Sequence, residues 1–507
     1  MFSRNLRRRF YASRIFFFFS ILGPGIIAAN ADNDASGIYG YSMAGAQYRY
    51  AMLWVLVLST IALGVAQEIC ARMGVITGKG LADLIREEYG VKVTLFAMIT
   101  LLIANFATTV SEFAGILAAT ELFVGPRARF LVLPIVGMLV WLLVAKGSYR
   151  RVEKILLGAS LIYLFYIGSA FLAHPNWATV IKETFIPNLK QITPLKAYVF
   201  MIINVVGTTI TPWGQFYIQS SVRDKGVKPE KYHETRIDVL FGAFFTNFIA
   251  FFIIVACGAT LFKAGIHQLD DAGQAAKALI PLAGSAAAIL FAIGLFNASC
   301  FGAITVPLST AYAVTEAFGS ESSIGRRARE APLFLGTFTF LIGAAVAVVM
   351  LFPNHLAFLI ILPNIVGAVL LPVILVLMLR LVNDRRIMGD HVNSRAYNAI
   401  SWTTTVVLVV LSVILLITTV SPMITDLVRL HRAKSANSAA VTAGAKQREC
   451  YAAQHNCHTI YAQHYLLLVP PARQQPVMEV ALIGLRQGGA FQQPTANHVS
   501  IIKDRHA

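Results

Sequence analysis

The stretch "FFFFSILGPGIIAANADNDASGIYGY", residues 16–41, decides how the rest of the chain is read. It starts as an apolar run fit to cross lipid, then sets Asp32 and Asp34 among glycines and small residues where a helix should still be crossing. One reading is a cleaved secretory signal, because Arg4, Arg7, Arg8, Arg9 and Arg14 precede a short apolar run ending in "ANA". The other is a helix broken at membrane depth, whose unwound middle holds an ion.

The remaining chain favours the broken helix. Of 507 residues, 57% are hydrophobic and 13% charged, which excludes an ordinary soluble protein. About eleven apolar segments reach the ~20 residues needed to cross a bilayer. They centre on residues 15–45, 51–73, 94–122, 130–145, 153–173, 198–222, 238–262, 282–316, 331–351, 356–380 and 399–421. The first, third and eighth are overlong, so tilts, kinks or breaks are expected in them. The fold class is therefore an all-α polytopic membrane protein.

The formal net charge of +17 sits mainly in alternate loops: 4–14, Arg72 to Arg86, Lys146 to Lys154, Arg223 to Arg236, Arg326 to Arg329 and Arg380 to Arg395. That is the positive-inside pattern, with a cytoplasmic N-terminal segment over 1–14. Basic loops then report topology, and no nucleic-acid partner is implied. One feature is discordant: eleven crossings put the C-terminus outside, yet Arg429, Arg432 and Lys434 follow the last span.

The transmembrane domain is expected over 15–422. The tail over 430–507 is rich in Ala, Gln and His, has no run of spanning length, and reads as disordered. Cys450 and Cys457 lie there beside His455 and His458, in a spacing that fits no paired-cysteine zinc pattern. Cys70, Cys257 and Cys300 read as small apolar fillers in or near spans.

An internal echo organises the spans. "NVVGTTITPWGQ" (204–215) interrupts the sixth span with Gly, Pro and small polar residues, as "GPGIIAANADNDASG" (23–37) interrupts the first. Two breaks five spans apart are the signature of inverted five-helix repeats, LeuT-like, with the binding site at the two breaks near the midplane. Repeat one covers about 15–173, repeat two about 198–380, and an extra helix about 399–421. Cleavage after Ala31 would discard half of that matched pair, so the signal reading fails.

An ionisable group in the bilayer core is costly and is functional by default. Asp32 and Asp34 lie in the first span and Glu112 in the third, with Glu68 and Glu121 nearer span ends; no Lys or Arg falls deep in any span. An acidic interior without basic partners points to a cation as cargo. All eleven histidines lie in loops, at span ends or in the tail. The remaining ligands are hard oxygens: Asp34, Asp32, Thr208, Thr209, Thr211 and freed carbonyls, which suit Mg²⁺, Ca²⁺ or Mn²⁺ over soft metals. Glu68 has Arg72 four residues on, the favourable order for a structural helical pair. Asp32 is either a second ligand or a water-facing neighbour. Trp213 is either a packing or gating residue or a determinant of transport.

"GPG", eight residues, "DASG", six residues and "AGAQY" together resemble the first-helix pattern of the NRAMP family of divalent-metal transporters. The likeness continues through "ARMGVITGKGLADLIREEY", "SEFAG", "TPWGQFYIQSS", "LFAIGLFNASCFGAITVPLSTAYAVTEAFG" and "NDRRIMGDHVN", over roughly residues 20–420. The resemblance implies the inverted-repeat fold, with a divalent ion between the broken first and sixth helices and Asp34 as its aspartate ligand. It also exposes departures. Gly37 stands where the family has an asparagine ligand, Thr211 where it has a methionine, and Trp213 where it has a histidine tied to proton coupling. Thr109 replaces a third-helix aspartate one turn before the matching Glu112, and Leu370 stands in place of a glutamine in the tenth helix. These changes resemble the divergent branch that includes magnesium transporters.

The expectation is a secondary transporter or facilitator importing Mg²⁺ or Mn²⁺ across a plasma membrane, the metal being cargo and no cofactor being required. Expected metal contacts are Asp34, Thr211, Gly37, Thr208 and Asp32; Glu112, Trp213 and Thr109 are the candidates for proton or gating roles. The alternative within the family is a proton-coupled Mn²⁺/Fe²⁺ importer. A Na⁺-coupled organic-solute transporter shares the fold, but "DASG" sets an acid where a substrate carboxylate would need bare amides. An intramembrane enzyme lacks any visible nucleophile–base set.

Overall fold

The computed structural model describes residues 23–188, 194–269, 272–320, 324, 330–352 and 356–414. The N-terminal segment 1–14, the start of the first span, His355, the Arg326–Arg329 cluster, the end of the extra helix and the tail 430–507 lie outside the described residues. Within them the chain is helical throughout, with no strand.

The first span is two helices, α1 (Pro24–Ala31) and α2 (Ala35–Tyr48), separated by residues 32–34. α3 (Leu53–Thr77) follows, and at ~1.5 Å per residue its 25 residues reach across a bilayer core of ~30 Å. Next come α4 (Leu81–Val124), α5 (Ala128–Ala145), α6 (Tyr149–Leu172) and a short α7 (Trp177–Phe185). The sixth span is again two helices, α8 (Leu195–Thr209) and α9 (Pro212–Asp224), followed by α10 (Tyr232–Ala259), α11 (Ala272–Ala317), α12 (Pro332–Leu351) and α13 (Leu356–Asn383). The last described helix is α14 (Arg395–Ile414). By length and composition nine described segments can cross a membrane, counting the joined Leu195–Asp224 as one. α1 and α2 fall below that length because Asp32–Asp34 divide the first crossing.

A second echo joins the two breaks. The overlong third and eighth spans are α4 and α11, of 44 and 46 residues, and each turns through a left-handed glycine. Gly90 has φ 73° and Gly284 φ 86°, a conformation that costs other residues the clash of Cβ with the backbone. Each long element is thus a short lead-in helix and a spanning helix in one, at corresponding places five spans apart.

α4 and α11 make the most extensive contact in the molecule, and α4 also packs along α13. α1, α2, α3 and α9 lie within this frame, and every residue of α1 is buried. In contrast, α5, α12 and α14 turn Leu131, Ile135, Leu139, Phe340, Val406 and Val410 outward. Large exposed apolar side chains belong against lipid, which offers no hydrophobic penalty for them. The chain is a multi-pass membrane protein built as an inner group of broken helices inside a ring of long ones.

Several of the basic residues that mark topology in the sequence are tied into ion pairs at one end of the bundle, the expected Glu68–Arg72 pair among them. Arg223, at the end of α9, lies 3.2 Å from both Asp83 of α4 and Glu316 of α11. Lys225 lies 2.7 Å from Glu153 of α6. Arg72 Nε lies 3.4 Å from Glu68 Oε1, one helical turn away, while its guanidinium also donates to the His391 carbonyl and to Asn393. Tyr232 donates its hydroxyl to Glu68. Charges on four different spans are thus cross-linked on the side where the sequence concentrates Lys and Arg.

Candidate metal site between the broken helices

The break in the first span is made by side chains that replace the missing helical bonds. α1 ends because residues 32–34 leave the helical path; Asp34, with φ −75° and ψ −178°, is extended and becomes the N-cap of α2. Its Oδ1 accepts from the Gly37 N–H at 2.6 Å and from the Ser36 hydroxyl at 2.8 Å. A carboxylate at this position satisfies two donors and lies at the positive end of the α2 dipole. The opposing break runs through Ile210 and Thr211, both extended, and Pro212 starts α9 at N1, where its lack of an N–H costs nothing.

Two hydrogen bonds join the breaks. Thr211 Oγ1 donates to Asp32 Oδ1 at 2.7 Å, and the Tyr41 and Thr209 hydroxyls lie 3.0 Å apart. The second oxygen of Asp32 accepts from Gln67 Nε2 of α3 at 2.9 Å. Both oxygens of Asp32 thus accept a hydrogen bond within the protein, and the residue is buried. Asn33 donates to the Thr246 carbonyl of α10 at 2.9 Å, and Tyr163 of α6 donates to the Asn30 carbonyl at 2.9 Å, so the unwound strand is held from both sides.

Glu112 enters from α4. Its Oε2 accepts from the Ala35 N–H, the first of α2, at 3.2 Å, its carboxyl faces that of Asp34, and Oε1 has no protein partner. Gly302 of α11 provides the space for this carboxylate, which a Cβ there would overlap. Asp32, Asp34 and Glu112 are all about 2% exposed or less. No Lys, Arg or His is among the partners of the three; hydroxyls, one amide and backbone N–H groups surround them.

Gly37 matters by what it lacks. A Cβ placed there would lie 3.1 Å from the Asp32 carbonyl oxygen and 3.3 Å from Asp34 Oδ1. Position 37 is closely bordered by these two oxygens, and any side chain there would press on both. Gly214 similarly lets α9 pack closely on the Thr211–Asp32 pair, whose Oγ1 and Oδ1 lie 3.0 and 3.2 Å from its missing Cβ.

The other expected residues are placed differently. Thr208 donates to the Val205 carbonyl at 3.1 Å and Thr109 to the Asn105 carbonyl at 2.7 Å, so both hydroxyls are turned back onto their own helices. Trp213 is buried, its carbonyl accepts from Ser309 at 2.8 Å, and its indole N–H has no protein partner. Leu370 is buried. Glu68 and Arg72 lie with the ion-pair cluster described above. Gln67 and Tyr41 were not among the expected site residues. Gln67 carried a faint signal as a polar side chain beside Glu68 in an apolar helix, whereas Tyr41 looked like any aromatic of a span. Among the described residues no group of three or more His, Cys, Asp or Glu side chains is placed to hold a metal, so a cation here must draw on neutral oxygens as well.

The comparisons agree with this architecture. The manganese transporter of Eremococcus coleocola has a similar structure, with a TM-score of 0.66 over 81% of this chain and 88% of that one at 19% identity. Mhp1, a nucleobase-cation-symport-1 family transporter, matches over 79% of this chain and 92% of its own at 15% identity, with a TM-score of 0.51. At these identities the likeness establishes a shared fold, the one predicted from the two breaks. The family model described as "Natural resistance-associated macrophage protein-like" matches residues 25–418, which include both breaks, Gln67, Glu112 and Asp238, and the chain belongs to the Nramp family.

Proposed function

We propose that this protein carries a divalent metal cation across a membrane by alternating access, with Mg²⁺ or Mn²⁺ as cargo and uptake into the cytoplasm as the direction. The observation that supports this most is that Asp32, bonded to Thr211 across the breaks, and Asp34 and Glu112, which face each other, are all buried and none is balanced by a basic side chain. Three carboxyl groups without a positive partner are stabilised by a cation more than by any neutral or anionic solute. The Nramp family and the metal named for the Eremococcus protein support the same class of cargo.

The donor set favours hard ions. Carboxylate, hydroxyl and carbonyl oxygens suit Mg²⁺ and Mn²⁺, and the site holds no thioether or imidazole that would favour softer metals. Proton coupling is reduced in this reading, because Thr109 turns its hydroxyl into α4 and Trp213 offers no titratable group.

The test is uptake by proteoliposomes containing the full chain, comparing Mg²⁺, Mn²⁺ and Ca²⁺ at two pH gradients. Saturable uptake of Mg²⁺ or Mn²⁺ that is lost in Asp34→Ala is expected. Uptake of none of the three, from protein that is folded and inserted, sinks the reading.

A further inference from the structure

α1 starts without a cap of its own. Its N-cap is Gly23, which has no side chain to offer, and Pro24 at N1 has no N–H. The free donors of its first turn are taken instead by one residue far along the chain. Asp238 of α10 accepts from the Gly23 N–H at 3.0 Å, the Gly25 N–H at 2.7 Å and the Ile26 N–H at 3.2 Å, using both carboxylate oxygens. Asp238 is 1% exposed.

Around this cap the two helices touch backbone to backbone. A Cβ on Gly25 would lie 2.6 Å from the Val239 nitrogen, and one on Gly242 would lie 2.8 Å from the Gly25 carbonyl oxygen. Lys225, paired with Glu153 at 2.7 Å, lies close against Gly23. An eight-residue helix cannot hold its own shape or direction, because nucleation costs more than so few bonds return. What caps the Gly23 end of α1 is α10.

The other end of α1 is the metal site. Eight residues span ~12 Å, so the Asp238 cap and the Asp32 cluster sit at opposite ends of one short rod. Turning α1 about either end moves the other. We infer that Asp238 is a positioning residue for transport: it clamps the first half-helix to α10, keeps the Gly23 end shut, and holds Asp32 in reach of Thr211. Releasing the three N–H groups frees α1 to swing and opens a path from that end to the site. That the path carries a cation rests on the function proposed above; the clamp itself does not.

The experiment reads the position of α1 without metal. Ala28→Cys on α1 and Ala345→Cys on α12, both fully buried, serve as separate reporters in the purified full chain in detergent. Maleimide labelling is followed after subtracting the parent's own cysteines. With Asp238 present both reporters stay protected. Asp238→Ala should raise the Ala28→Cys labelling rate roughly tenfold or more and leave Ala345→Cys unchanged, since three buried donors lose one shared acceptor. Asp238→Asn keeps the shape and one acceptor oxygen, so it should give a smaller rise at the same reporter, and it decides the matter where the alanine variant does not fold. An unchanged Ala28→Cys rate in a folded variant overturns the clamp. Equal rises at both reporters overturn it too, because they describe a fold loosened everywhere. Labelling that responds as expected in a chain that takes up neither Mg²⁺ nor Mn²⁺ upholds the clamp and removes the transport reading alone.

Discussion

The two breaks occupy matching places in the repeats and are built from opposite materials. The first, at 32–34, holds two carboxylates and an amide, each bonded to a donor or acceptor on another segment or on the next helix. The second, at 210–211, holds no charge; it unwinds through an isoleucine and a threonine, with Pro212 restarting the helix. A broken helix in a membrane must satisfy its freed groups internally. Here one break does so with charge and the other with a hydroxyl and a proline. The pair divides labour: one side supplies negative charge, the other neutral oxygen and shape. The bond from Thr211 to Asp32 couples them.

The largest test of that division is the loss of charge from the first break. Asp34→Ala should lower metal uptake at least ~100-fold, because a dehydrating divalent ion is left without its charge-assisted ligand. The chain should still insert, as shown by its elution as a folded species in detergent. Near-normal uptake would place the ion elsewhere.

Asp32→Ala sharpens the comparison by cutting the coupling. It leaves the Thr211 hydroxyl and Gln67 amide without this buried acceptor, a cost of about 2–6 kcal/mol for the two donors. A lowered thermal unfolding midpoint should accompany the loss of uptake. In Asp34→Ala the midpoint should fall as well, since the buried Gly37 N–H and Ser36 hydroxyl lose this acceptor and α2 loses its N-cap.

The second break should control which ion is taken. Thr211→Met exchanges a hard oxygen for a soft sulfur, and competition assays should show Mn²⁺ or Cd²⁺ gaining on Mg²⁺ by roughly tenfold. A constant competition ratio means that the neutral break does not face the ion. The smallest effect concerns protons. Internal pH should change little during uptake down an imposed metal gradient, and Glu112→Gln should not alter that; acidification in step with uptake and abolished by Glu112→Gln would show a relay that the comparison misses.

Much of this was legible in the sequence because the breaks contradict their surroundings. Gly, Pro and acid inside an apolar run are visible locally, and their recurrence five spans on gives the repeat. Asp34 was legible for the same reason, as was the absence of a basic partner. Gln67 and Asp238 were not. Gln67 meets Asp32 35 residues away, and Asp238 meets Gly23, Gly25 and Ile26 more than 200 residues away. Neither spacing leaves a periodic trace. Gly90 and Gly284 were missed because the apolar pattern runs on through them, and only the backbone shows the turn. Nor was the facing of Thr208 and Thr109 legible: a threonine in a helix commonly bonds back to the carbonyl four residues earlier, or three as at Thr208, and composition cannot say which way it faces.

The missing positive partner has an electrical meaning. If the carboxylates at the breaks are balanced only by the passing ion, nothing of opposite sign travels with it or returns for it. Each divalent cation then moves two elementary charges through the membrane field, worth ~4.6 kcal/mol per 100 mV. At ~1.4 kcal/mol per tenfold, an ordinary inside-negative potential supplies roughly three powers of ten of accumulation. A chain with a weakened proton relay is in that case still not without a power source: the voltage acts on its cargo directly, and its current should reverse where the combined voltage and concentration forces on that one ion vanish.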